Sequence, residues 1–254
     1  MRFIDSHCHL DFAEFADNIT LQIADAASFG IEKLIVPGVS LAQCKRLIDF
    51  QQVYSCCHIA FGLHPYFLTP DSRQEMAQLA DLATRHRERL VAIGECGIDS
   101  QCADLPLQQA IFTDHIQLAN TLELPLIVHH RQSHHLIAQS FKQTKPKFGG
   151  VIHAFSGSRQ QAQYYVNLGF KLGLGGTITY PRAKKTRDVV SALPLSSFVI
   201  ETDAPSMPVF GYQGQINTPA RLMDVFKHVC QLRSEPKEEI ALSLYASSCE
   251  LFSI

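Results

Sequence analysis

Asp5-Ser6-His7-Cys8-His9, directly after the apolar pair Phe3-Ile4, is the stretch whose reading decides the fold. It reads as the end of a buried strand. Side chains two residues apart on a strand share a face, so His7 and His9 project together while Cys8 points the other way. In an open, doubly wound α/β sheet the place after the first strand usually holds a Gly-rich phosphate loop. Here it holds two imidazoles, which is half a metal site, and the pair gains meaning only if later strands end in further ligands.

Working outward, short runs rich in Val, Ile and Leu alternate with amphipathic stretches. The apolar runs at 2–5, 33–37, 58–63, 90–94, 126–129, 150–154, 171–175 and 198–201 are long enough for strands and too short for helices. Helices are expected between them at 19–29, 41–54, 73–89, 107–122, 134–143, 159–168 and 182–193. Units of roughly 30 residues, about eight in number, predict a (β/α)8 TIM barrel in the α/β class. A Pro- and Gly-rich segment at 204–219 reads as a lid or rim, and helices are expected at 220–232 and 236–247. No repeat, low-complexity tract or linker divides the chain, so a single domain over 1–254 is expected.

With 254 residues, 46% hydrophobic and 18% charged, the chain can bury a sizeable core. No apolar run approaches the ~20 residues of a membrane span, and the start Met1-Arg2-Phe3-Ile4-Asp5 lacks the apolar region of a secretory signal. The expectation is a cytoplasmic protein with no membrane association and no obligate protein partner. Eight scattered cysteines without a Cys-x-x-Cys read as reduced thiols. A net charge of -2 argues against a broad basic surface for long nucleic acid, while leaving a local phosphate ligand open.

In a barrel of this kind the active site lies at the C-terminal ends of the strands, so the residues that end each run converge. They are His7 and His9, His64, Glu95 and Asp99, His129, His153, and Glu201-Thr202-Asp203. Four imidazoles and two acids from this set suffice for two divalent ions sharing a carboxylate, and Glu95, with two oxygens, suits the bridge. Imidazoles favour zinc, manganese, iron or nickel over magnesium, so zinc or manganese leads and magnesium stays open. Such ions about 3.5 to 4 Å apart hold the attacking and leaving oxygens of a displacement, and Asp203 is placed to hold or deprotonate the attacking water. Hydrolysis is the implied reaction, with Glu95 and Asp203 the catalytic carboxylates.

Other residues keep two readings. His64 contacts substrate or bonds its own loop beside Pro65. Asp99 faces the site or caps a turn. Arg131, two residues past His129, contacts phosphate or forms a salt bridge. Arg182, Lys184, Lys185 and Arg187 are a landing site for a nucleic-acid backbone or a solvated helix start. Cys8 and Cys96 turn away from their ligand neighbours and are read as packed between barrel and helices, and His130 also falls on the wrong face.

Asp5-Ser6-His7-Cys8-His9-Leu10-Asp11, Gly62-Leu63-His64-Pro65, Ile93-Gly94-Glu95-Cys96-Gly97-Ile98-Asp99, His129-His130-Arg131, His153-Ala154-Phe155-Ser156-Gly157-Ser158 and Glu201-Thr202-Asp203-Ala204-Pro205 together resemble the successive motifs of the TatD family of metal-dependent hydrolases. Gly173-Leu174-Gly175-Gly176-Thr177-Ile178-Thr179-Tyr180-Pro181 and Gly211-Tyr212-Gln213-Gly214-Gln215-Ile216-Asn217 resemble its YjjV-like branch. The resemblance runs nearly end to end and implies a TIM-type barrel, two metals and phosphodiester hydrolysis, with deoxyribonuclease activity known in the family. It further implies that His7, His9 and Asp203 hold one ion, that His129 and His153 hold the other, and that Glu95 bridges. The substrate expected is DNA or a small phosphodiester. The rival readings are an amidohydrolase acting on a cyclic amide, lactone or small phosphoester, and a barrel that binds metal or phosphate without turnover.

Overall fold

The computed structural model describes residues 1–254. Strands and helices alternate as β1 (Phe3–Asp5), α1 (Ile19–Ser28), β2 (Ile31–Pro37), α2 (Leu41–Val53), β3 (Cys57–Phe61), α3 (Ser72–Arg85), β4 (Leu90–Asp99) and α4 (Leu105–Leu122). They continue as β5 (Leu126–Arg131), α5 (His134–Gln143), β6 (Gly150–Ile152), α6 (Arg159–Asn167), β7 (Phe170–Leu174), α7 (Lys184–Ala192), β8 (Phe198–Ile200), α8 (Leu222–Leu232) and α9 (Lys237–Phe252). The strands stand in chain order, β1 to β8. This is the expected (β/α)8 topology. No helix is long and apolar enough to cross a membrane. Contacts group the chain into two compact units, Met1–Val36 with His153–Ile254, and Pro37–Ile152.

In the first unit β1 pairs in parallel with β2 and β7 with β8. The last strand also meets the first, because Ser6 N–H donates to the Ile200 carbonyl at 3.0 Å. Helix α9 packs on both β1 and β8 and buries Ile240, Leu244 and Phe252. Each such side chain contributes about 1.5–3 kcal/mol when removed from water. Helix α6 starts where the sequence allows a reciprocal cap, Ser158 accepting from Gln161 N–H while the Gln161 side chain accepts from Ser158 N–H.

The second unit pairs β3, β4, β5 and β6 in parallel. Helix α2 covers β3, α4 covers β4 and α5 covers β5. Asp104 caps α4 by accepting from Leu107 N–H at 3.1 Å, and Pro106 sits in its first turn, where no N–H is needed. The core face of α4 carries Ile111, Phe112 and Ile116 but also two buried polar residues, Gln108 and His115. His115 Nδ1–H donates to the Ile111 carbonyl at 2.7 Å and Nε2 accepts from Leu63 N–H at 3.0 Å, so the ring is neutral and fixes the backbone just before His64. Burial lowers its pKa from 6.5 to about 4.

Most element boundaries agree with the sequence expectation to within a residue or two. The largest differences are in β4, expected at 90–94 but continuing through Asp99, and in α9, which reaches Phe252 instead of stopping at 247. The expected helix 73–89 ends at Arg85 and continues as a separate short turn, Arg87–Arg89, and α7 starts at Lys184, not at 182. Gly94 and Gly97 look like breakers of β4, yet every residue of that strand is buried. Gly97 has φ +150°, and a Cβ there would lie 2.0 Å from the His129 carbonyl oxygen, so the glycine lets the β5 backbone approach.

Two outcomes follow for stability. Gly97→Ala should lower the urea-unfolding free energy by roughly 3 kcal/mol or more, because neither backbone can yield; an unchanged midpoint would contradict the close approach. For His115, the unfolded state takes up a proton below 6.5 while the folded state resists until about 4. Stability is therefore full above the unfolded value and falls as pH drops through this window, by roughly 3 kcal/mol in total. His115→Gln should flatten that slope in unfolding titrations, and an unchanged slope would assign it to other groups.

Candidate metal centre

Each unit brings a cluster of donors together. In the first, His7 and His9 stand two residues apart beyond β1, and Asp203 stands beyond β8. Asp203 N–H donates to the His7 carbonyl at 2.9 Å and His9 N–H to the Ala204 carbonyl at 2.7 Å, so the two strand ends are laced by reciprocal backbone bonds. Asp203 adopts φ +57°, a left-handed conformation that Asp tolerates better than most residues. His7 Nε2 and His9 Nε2 lie 3.2 Å apart, and each lies 3.6 Å from Asp203 Oδ1. Donors about 2.1 Å from one tetrahedral cation stand about 3.4 Å from each other, so this triangle fits a single divalent ion.

His153 follows β6 and stacks on His7 with ring centroids 4.0 Å apart. A donor atom of His153 lies within 4.8 Å of donors from His7 and Asp203. Glu201 Oε1 lies 3.2 Å from His153 Nδ1 and also accepts from Ala154 N–H. A carboxylate there favours the proton on Nδ1, which leaves the Nε2 lone pair for a cation. Glu201 is fully buried and needs the space that Gly173 leaves, since a Cβ at Gly173 would sit 2.3 Å from Glu201 Oε2.

Behind His7 lies Asp5, wholly buried. Its Oδ1 accepts from His7 N–H at 3.2 Å and Thr202 N–H at 3.0 Å, and the Thr202 hydroxyl bonds Oδ2 at 2.6 Å. Burial pushes the Asp5 carboxyl up to about 8, against the pull of those hydrogen bonds.

In the second unit Glu95 and Asp99, four residues apart on β4, share a face, and His129 lies between their carboxylates. His129 Nδ1 is 3.1 Å from Glu95 Oε1 and Nε2 is 3.2 Å from Asp99 Oδ2. A neutral imidazole has one N–H, so at one of these contacts a nitrogen lone pair faces a carboxylate oxygen. Only a cation or a second proton between them makes that contact favourable, and the donor set suits a divalent ion. Burial raises the Asp99 pKa, but hydrogen bonds from His129 and from Gln101 N–H, with the charges of His129 and Arg131, outweigh it and hold the carboxyl below its usual range.

Asp99 both caps a turn, through Gln101 N–H on Oδ1 at 2.8 Å, and faces His129 through Oδ2. His64 Nδ1 accepts from Tyr66 N–H at 3.0 Å, which puts the ring proton on Nε2, 3.5 Å from Glu95 Oε1. His64 is therefore a hydrogen-bond donor facing Glu95 and a poor cation ligand, although its ring stands within ligand range. Arg131 ends β5 exposed, paired in register with Asp99. Lys184 and Lys185 are exposed in the first turn of α7; Asp188, the acid of that helix, is taken by Arg159. Cys8 and Cys96 are fully buried, and burial pushes both thiols up, which suits packing and not ligation.

Sequence reading missed Glu201 as the partner of His153, Asp5 with Thr202 behind His7, and Gln108. The Gln108 side chain accepts from Asp99 N–H at 2.8 Å and donates to the Asp99 and Ala103 carbonyls. Asp5 and Glu201 each lie two residues from a ligand candidate, so strand parity pointed to them. Gln108 was visible only as a polar residue on an otherwise apolar helix face.

A family model of TatD-related DNases matches residues 4–253. The metal-dependent hydrolase YjjV of Escherichia coli K12 is 42% identical over 255 residues, covering 100% of this chain and 98% of the relative. A metal-dependent hydrolase of Haemophilus influenzae is 35% identical, with 100% of both covered. The crystal structure of YjjV superposes with a TM-score of 0.96 over 100% of this chain and 98% of that one, which shows the (β/α)8 TIM-barrel fold. A TatD-family hydrolase of Entamoeba histolytica, 20% identical, shares the fold at a TM-score of 0.85 over 99% of this chain and 98% of the other. With the family model spanning nearly every residue and two relatives aligned end to end, the chain belongs to the TatD-related family of metal-dependent hydrolases.

Proposed function

We propose that the chain hydrolyses phosphodiester bonds and acts as a deoxyribonuclease with two divalent ions, zinc, manganese or magnesium. The observation that carries this reading is the triangle of His7, His9 and Asp203 donors, sized for one cation, with His153 beside it. In the second unit Glu95 Oε1 and His129 Nδ1, 3.1 Å apart, support a further ion, with Asp99 on the other nitrogen of the ring. A divalent cation supplies Lewis acidity towards a phosphoryl centre and makes water easier to ionise.

The chain's own residues supply the rest. Asp203, the least buried member of its triangle at 13% side-chain exposure, is the group that receives a proton from the attacking water. Glu201 fixes the tautomer of His153, and Asp99 that of His129. The Nε2–H of His64 faces Glu95 Oε1 at 3.5 Å and is the proton available to a substrate oxygen. Arg131, Lys184 and Lys185 offer charge to backbone phosphates, compatible with an acidic chain because the charge is local. The cysteines are all free, and we place the protein in the cytoplasm.

The decisive experiment follows an end-labelled single-stranded DNA oligonucleotide with metal-stripped protein resupplied with magnesium, manganese or zinc. Metal-dependent shortening is expected, with Glu95→Ala reducing it by at least ~100-fold and lowering bound metal. A Glu95→Ala variant with wild-type turnover would sink the assignment, and loss of one ion against two in that variant reads out the bridge expected from sequence. Hydrolysis of a cyclic amide with no cleavage of any phosphodiester would replace the nuclease reading. Lys184→Ala with Lys185→Ala should weaken an oligonucleotide more than a small phosphodiester and reduce the slope of log affinity against log salt by about 1.4; equal effects on both substrates would remove the landing site.

A further inference from the structure

We propose that a cavity in the first unit, formed by the segments that follow β7 and β8, is a stacking subsite for one nucleobase of a single-stranded substrate. This rests on the nucleic-acid reading above. The cavity, about 310 Å³, is lined by Thr177, Tyr180, Arg182 and Ala183 from the segment after β7, and by Met207 and Pro208 from the loop after β8. It neighbours the cluster along the chain, because Met207 is four residues past Asp203 and Ser206 N–H donates to the Asp203 carbonyl at 2.8 Å.

The walls are held open by hydrogen bonds. Tyr180 Oη–H donates to the Pro208 carbonyl at 2.8 Å. Thr179 Oγ1 accepts from Phe210 N–H at 2.8 Å and donates to the Gly176 carbonyl at 2.6 Å. The buried Asn217 amide donates to the Thr202, Ser206 and Met207 carbonyls, so the Met207 wall is fixed from behind. Phe210, next to this lining but not part of it, stands edge-on to the lining residue Tyr180, centroids 5.6 Å apart at 78°, and remains 55% exposed. A phenyl ring anchored through its backbone and left in water costs free energy until something planar covers it.

The surrounding charge selects the ligand. The Arg182 guanidinium lies 5.0 Å from the Tyr180 ring centroid, and Lys184 and Lys185 follow, none of the three in an ion pair. An apolar peptide or a neutral sugar would leave those cations unused. A nucleobase attached to a phosphodiester uses the rings, the half-buried Thr177 hydroxyl and the cations together. Stacking tolerates every base, so the subsite adds affinity with little sequence preference.

The test measures, by fluorescence anisotropy on the metal-stripped full-length protein, binding of a labelled single-stranded oligothymidylate and of the same strand with one abasic position moved along it. Phe210→Ala should weaken the intact strand about tenfold, and Phe210→Tyr should restore it. One abasic position should weaken wild-type binding by a similar factor and cost nothing further in Phe210→Ala. If abasic strands bind wild-type protein as well as intact ones at every position, or Phe210→Ala binds like wild type while the metal-loaded protein still shortens DNA, the subsite is overturned and the nuclease reading stands. If the wild-type protein neither binds nor shortens the intact strand, the nuclease reading falls and the subsite with it.

Discussion

A carboxyl group with none of its surface in water must find its donors inside the protein, and Asp5 finds them at the ends of both the first and the last strand. His7 N–H, Thr202 N–H and the Thr202 hydroxyl all converge on it. The cost of burying it is offset only while β1 and β8 keep their mutual placement, so one side chain fixes the base on which His7 and Asp203 stand. The backbone lacing of His7 to Asp203 and of His9 to Ala204 then sets the donor triangle to the size of a cation. The donor geometry here is a consequence of a buried carboxyl, Asp5, that is not itself one of the candidate donors, and of backbone bonds between the two strand ends.

The second unit solves the same problem from a helix. Gln108 and His115, on the core face of α4, hold the Asp99 and Leu63 backbones, and through them the groups next to Glu95 and His64. Polar residues in a helix interior face are costly unless every donor and acceptor is used. His115 uses both ring nitrogens on backbone groups, which is why it stays neutral.

Much of this was legible in the sequence because both the fold and the ligand pattern obey simple periods. The runs that end in His7, His129, His153 and Asp203 announced the strands and the end of each at which donors gather, and alternation turned Cys8 and Cys96 away. What was not legible had a different origin. The fourth strand was expected to end at 94 and runs to Asp99 because local propensity says nothing about a neighbouring backbone that needs the missing Cβ atoms of Gly94 and Gly97. Asp99 allowed two readings because a side chain with two polar atoms can serve two partners, and it does; His64 bonds its own loop through Nδ1. Gln108, His115 and the ordered wall of Phe210 depend on contacts across 9, 52 and 31 residues of sequence, beyond the reach of any periodicity.

The bond from Ser6 N–H to the Ile200 carbonyl has a consequence for the chain as it is made. A ribosome delivers β1 first, and its edge and its two imidazoles wait for a strand that lies almost 200 residues downstream; the same delay separates Asp5 from Thr202. Until then the first unit cannot close, and the pairing it awaits is among the most non-local the chain contains. The donor triangle of His7, His9 and Asp203 is therefore absent from any nascent chain that stops short of the last strand.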